Sequence, residues 1–76
     1  MPKLRKVSGT KLLKILCNKF GFKVIRQRGS HVMIIKESKL GKFGTVIPMH
    51  QELKIGTLKG ILKQAKISEE EIEEFL

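Results

Sequence analysis

The sequence predicts an α+β fold, α-β-β-β-α(-α), in which a three-stranded antiparallel meander carries its helices on one face. Three observations predict it. Apolar residues recur at helical spacing near both ends of the chain. Between them lie three runs of bulky and β-branched residues, set apart by glycines. The chain has 76 residues, a size that buries only about 60–65% of its unfolded surface. One face of the sheet must therefore be covered to give any core.

Residues 1–7 form a short basic arm. Ser8 or Thr10 then caps a first helix through its side-chain oxygen. Leu12, Leu13, Leu16, Cys17 and Phe20 make one apolar stripe on it, while Lys11, Lys14 and Lys19 fall off that stripe. Cys17 reads as a small buried hydrophobe. Gly21 ends the helix, where a left-handed backbone is unstrained. Residues 22–28 form a first strand, broken by Gly29, and residues 31–36 a second. Residues 37–44 hold two glycines and two lysines and read as a hairpin loop. Residues 45–49 form a third strand, at a sheet edge because Pro48 lacks an N–H. Residues 52–56 connect to a helix that Thr57 can cap. Leu58, Ile61, Leu62 and Ala65 follow at i, i+3, i+4 and i+7 as its apolar face. Gly60 weakens it by about 1 kcal/mol against Ala. Ser68 and Glu71 form a capping box for a last short helix, with Ile72, Phe75 and Leu76 as its apolar residues.

Charge narrows the function. Sixteen Lys and Arg stand against seven Glu, a net of +9. Five of the Glu lie in the last eight residues, so residues 1–68 carry sixteen bases against two acids, a surplus of +14. Such a body suits polyanions, because Lys and Arg displace the counterions condensed on phosphates. The partner classes are nucleic acid or an acidic protein; the bland alternative is a surface kept basic for solubility. A membrane surface fits less well, since the bases are not gathered on one amphipathic helix. The longest apolar run, Val32 to Ile35, falls far short of the roughly 20 residues that span a bilayer. With no signal-peptide stretch after the basic start, the expectation is a soluble cytoplasmic protein. One cysteine permits no internal disulfide framework, and one Cys with two His does not assemble a four-ligand zinc site. No cofactor or metal is expected.

His31 and His50 are the two side chains suited to acid–base work near neutral pH. If the second hairpin turns around Leu40-Gly41, His31 lies opposite His50, with Cβ atoms about 4.5–5.5 Å apart. A one-residue slip would send them to opposite faces. A first hairpin turning at Gly29-Ser30 brings Arg26 and Arg28 beside His31, both on one strand face. RNA strand cleavage needs this set: a 2′-hydroxyl loses a proton, a 5′-oxygen gains one, and arginine stabilises charge on phosphoryl oxygens. Each residue also has a plainer reading. His31 is a strand-start polar residue, and His50 a loop residue ending an edge strand. Arg26 and Arg28 are a solvated strand face, Gly29 turn chemistry, and Ser30 a turn hydroxyl rather than a phosphate donor. Lys3, Arg5 and Lys6 either track an RNA backbone or form a solvated arm. Phe43 is the one aromatic in a loop able to stack a base. Met33, Met49 and Phe22 read as core or partner-facing residues.

At these residues the chain resembles a known family. Gly21-Phe22 followed by Arg26-Gln27-Arg28-Gly29-Ser30-His31 is similar to the core signature of the HicA toxins of toxin–antitoxin pairs. Ile47-Pro48-Met49-His50 resembles the second block of that family, and residues 52–58 with Ile61-Leu62-Lys63-Gln64-Ala65 the third. Ile67-Ser68 and the glutamates that follow resemble its tail, so the likeness runs from about Ser8 to Phe75, over one domain of residues 1–76. The resemblance implies a double-stranded-RNA-binding-domain-like fold. It implies the toxin of a type II pair, a metal-independent endoribonuclease acting on mRNA, with His31 catalytic and His50 in the second histidine position. It also implies a cognate HicB-type antitoxin, expected to cover the His31 face of a toxin that is a monomer when free. Lys66 departs from the pattern, standing where the family usually has Gly after the alanine that ends the second helix. Two other readings compete: a non-catalytic RNA-binding module of the same fold, and an adaptor for an acidic protein.

Overall fold

A computed structural model describes residues 4–76, which run α1 (Gly9–Lys19), β1 (Lys23–Arg28), β2 (His31–Ser38), β3 (Gly41–Pro48), α2 (Ile55–Ala65) and α3 (Glu69–Glu73). Lys3 lies outside the described residues. Ser8 caps α1, its hydroxyl accepting the Lys11 N–H at 3.0 Å, while Thr10 lies inside the helix. The buried side of α1 runs through Leu12, Ile15 and Leu16. Leu13, Cys17 and Phe20 only flank it, because the helix is rotated to bring Ile15 inward. Cys17 is thus a half-buried free thiol rather than an enclosed hydrophobe. Gly21 takes a left-handed backbone, as expected.

The sheet order is β1-β2-β3, all antiparallel, so Pro48 does sit on an edge strand. Val32, Ile34, Thr45 and Ile47 are buried under the helices, while Met33 and Val46 are exposed on the opposite face. Leu12, Leu16, Phe22, Leu53, Leu58, Leu62 and Ile72 belong to the same core. The buried Thr45 hydroxyl donates to Gln64 Oε1 at 2.7 Å, so it carries no unmet polar group into that core.

The second hairpin differs from expectation. The loop over residues 37–44 contracts to a two-residue turn, with Ser38 paired to Gly41. Ser38 Oγ accepts the Leu40 N–H at 3.1 Å and donates to the Gly41 carbonyl at 3.3 Å, which closes the turn locally. Gly44 belongs to β3 for a packing reason: an added methyl would run into the Ile34 carbonyl and the Ile35 side chain. Phe43 is therefore a strand residue set edge-on against Phe22 at 6.0 Å, and not a loop platform for a base. Centring the turn on Lys39-Leu40 shifts the pairing by two residues. His31 faces Pro48, not His50.

The start of α2 also moves. Leu53 is buried and its N–H donates to the Val7 carbonyl at 2.7 Å. The helix begins as soon as that anchor is passed, with Lys54 in the capping position and no side-chain cap. Thr57 lies inside the first turn and caps nothing. At the other end Lys66 adopts φ 60, the left-handed backbone a glycine would take. The Ile67 N–H donates to the Leu62 carbonyl at 3.0 Å and completes the helix stop. The Ser68–Glu71 capping box of α3 is present in both directions.

Candidate active site

Two backbone ties gather the histidines. His31 opens β2 directly after the Gly29-Ser30 turn, where Gly29 takes φ 57. The Ser30 carbonyl accepts the Met49 N–H at 2.6 Å, which draws the chain beyond β3 back over that turn. The next carbonyl, of His50, accepts the Gly9 N–H at 2.9 Å and joins that chain to the start of α1. Gly9 is buried because an added methyl would run into the Pro48 carbonyl; only hydrogen fits between α1 and β3 there.

The outcome is a cleft of about 290 Å³ lined by His31, Pro48, His50, Glu52, Leu53, Lys54 and Thr57. The histidines reach it from different supports: His31 from a strand end and His50 from the segment past β3. They are brought together, though not as a directly opposed strand pair. The start of α2 forms another wall. With no side-chain cap and no acid in its first turn, its backbone N–H groups are available to an anion. Lys54 adds a full positive charge and Glu52 a carboxylate at the same cleft. Among the described residues, no group of three or more His, Cys, Asp and Glu is placed to hold a metal ion.

A family model described as "HicA toxin of bacterial toxin-antitoxin" matches residues 9–67 of the 76. The chain belongs to the HicA toxin family. No curated protein and no solved structure matches it. A HicA-family toxin implies an antitoxin partner. The family match contains every residue lining the cleft, together with both hairpins that position His31. No helix among the described residues is long and apolar enough to cross a membrane.

Around this HicA-family cleft the other candidates are spread over two neighbouring zones. Arg28 pairs with His31 across the first hairpin, and Arg26 pairs with Met33 one step along the same face. Both arginines share the open side of the sheet with His31, as the spacing predicts. Gly29 has open space where a side chain would stand, so its backbone is approachable. Ser30 is exposed and contributes its carbonyl to the Met49 tie, leaving its hydroxyl without a partner among the described residues. Arg5 and Lys6 are exposed beside Val7, whose carbonyl holds Leu53 at the cleft wall.

Glu52, Lys54 and Thr57 do not stand out in the sequence as site residues. Thr57 reads in the sequence as a helix cap and Glu52 and Lys54 as connector residues, so no spacing marks them. Gly9 carried a clearer signal, since a glycine in the first turn of a helix has no propensity reason to be there.

Proposed function

We propose that the chain is an endoribonuclease that cleaves mRNA at the His31–His50 cleft. The observation that carries this reading is the placement of two imidazoles on one cleft, walled by an uncapped helix start and Lys54. One imidazole takes the proton of a ribose 2′-hydroxyl as that oxygen attacks the neighbouring phosphorus. The other gives a proton to the departing 5′-oxygen as the P–O5′ bond breaks. The products are a 2′,3′-cyclic phosphate and a 5′-hydroxyl end. Arg28, the neighbour of His31 across the hairpin, and the amides of α2 stabilise charge on the non-bridging oxygens. Both proton transfers are met by side chains, so the reaction runs without a metal. An mRNA substrate fits a cytoplasmic protein, and the +14 charge surplus of residues 1–68 fits a polyanion. A HicB-type antitoxin holding the toxin silent over its His31 face completes the reading.

The test uses a long mRNA in excess EDTA with wild type, His31→Ala and His50→Ala, followed by end-group analysis. Cutting by wild type that leaves cyclic phosphate and is lost in His31→Ala supports the reading. RNA that binds but stays intact with wild type refutes it, and leaves a binding module of the same fold.

A further inference from the structure

The sheet extends beyond its helices, and the uncovered part is β1. Both α1 and α2 pack over β3. All six residues of β1 are exposed, with Val24 at 50% and Ile25 at 53% of their full surface. β1 is also an edge strand, so its outer backbone groups meet no partner strand among the described residues. Half-exposed adjacent β-branched residues on a free edge are the usual signature of a strand-addition site.

The two faces of β1 differ in chemistry. Val24 pairs with the buried Ile34 and so lies on the helix side of the sheet. Arg26 and Arg28 pair with Met33 and His31 and lie on the open side. A bulge between Val24 and Arg26 sets the two groups apart. With Lys23, half of the strand is cationic. A second copy of this chain would bring like charges together and is disfavoured as the occupant. Nucleic acid meets β1 only through Arg26 and Arg28 on the open face, because the strand edge at Val24 and Ile25 carries no ring for a base. Phe22 is buried against Phe43, and Phe20 packs on Phe75.

Resting on the toxin–antitoxin reading, we propose that an extended acidic segment of the antitoxin adds to β1 as a fourth strand. Its carboxylates alternate with aliphatic side chains. The acids meet Arg26 and Arg28 on the open face, and the aliphatics cover Val24 and Ile25. Arg28 is the cross-strand neighbour of His31. Docking here therefore ties up a phosphate-binding cation beside the cleft without any group entering it.

The probe is a ten-residue peptide alternating Glu and Val, titrated into the ¹⁵N-labelled full chain. The expected result is saturable shift changes and slowed amide exchange confined to β1 and the adjoining turn. The Val24→Glu, Ile25→Glu double variant should bind at least tenfold more weakly while its α1 and α2 resonances stay in place. A Lys–Val peptide that binds equally well overturns the proposal. So does Glu–Val binding centred on the helices, or none at millimolar peptide. A short oligouridylate that perturbs Val24 and Ile25 more strongly than the peptide overturns it in favour of RNA. The readout is independent of cleavage. A chain that binds the peptide but never cuts RNA sinks the nuclease reading alone, and one that cuts but ignores the peptide sinks the docking site alone.

Discussion

In the proposed reaction the chemistry turns on His31 and His50, and their supports make different predictions. His31 is fixed by strand pairing on both sides, to Arg28 and to Pro48. His50 hangs from a single carbonyl tie to Gly9. We expect His31→Ala to abolish cleavage. His50→Ala should lower kcat by about 10²-fold or more, the loss of one positioned acid or base, with RNA binding nearly unchanged. If both variants cut at the wild-type rate in single-turnover assays, the proton transfers belong elsewhere. At Lys66 the residue scale is thermodynamic. A lysine held at φ 60 carries a left-handed penalty that glycine escapes. Lys66→Gly should raise unfolding free energy by about 0.5–1 kcal/mol, after offsetting the greater freedom of glycine in the unfolded chain. Chemical denaturation reads this directly, and a loss of stability would mean that the lysine side chain makes a compensating contact. Residue type singles out both histidines and both arginines as candidates, and spacing puts the arginines on the face of His31, but it wrongly sets His31 opposite His50. Nothing singles out Glu52 and Lys54, because a cleft that gathers residues from a strand end, a connector and a helix start has no single periodicity.

Elements set how those residues meet. Helical stripes and β-branched runs have strong periods, and the order of elements follows from them. Glycine was the ambiguous letter. Gly44 resembles turn chemistry but sits in β3 because Ile34 and Ile35 leave no room for a side chain. That misreading lengthened the loop and moved the pairing of His31 by two residues. Gly9 makes the reverse case testable. Helix propensity alone favours Gly9→Ala by up to about 1 kcal/mol. The added methyl would instead collide with the Pro48 carbonyl, and overpacking of that kind costs about 1–3 kcal/mol. We expect a lower Tm, with the largest chemical-shift changes at Met49 and His50; a higher Tm would show that α1 and β3 can separate freely. The cap of α3 predicts a pH effect. The Ser68 N–H donating to Glu71, aided by the Ser68 hydroxyl, holds that carboxyl below its ordinary range. The folded state thus favours the charged form. The stabilisation is full above the unfolded value, about pH 4.3 for glutamate, and is lost as pH falls through the lower folded value. Acidification should fray α3, seen as movement of the Ser68 amide resonance. Glu71→Gln keeps an oxygen acceptor and should flatten that titration; a titration that persists in the variant would place the sensitive group elsewhere.

For the whole molecule the deciding quantity is where its charge sits. Five of seven acids lie in the last eight residues, in and beside α3, leaving the rest of the chain basic. This asymmetry was plain in the sequence, but its geometry was not, since charge has no period that assigns it to a face. Arg26, Arg28 and Lys54 lie around the open sheet face and the cleft, and Arg5 and Lys6 precede the Val7 tie that holds the cleft wall. If these cations hold RNA, affinity must fall linearly on a log–log plot against salt. For a single strand the slope is about −0.7 per phosphate neutralised. His31→Ala, which should bind without cutting, allows that slope to be measured at equilibrium. Adding Arg26→Gln to it should reduce the slope by about 0.7, and adding Arg28→Gln as well by about 1.4 in total. In the cleaving protein the two arginines then separate. Arg26→Gln should raise KM with kcat little changed, because it binds backbone away from the reacting phosphorus. Arg28→Gln should lower kcat, because it adjoins His31 and acts on charge that develops in the transition state. A slope indifferent to both substitutions would mean that RNA lies on another face of the molecule, and the cleft would lose its substrate.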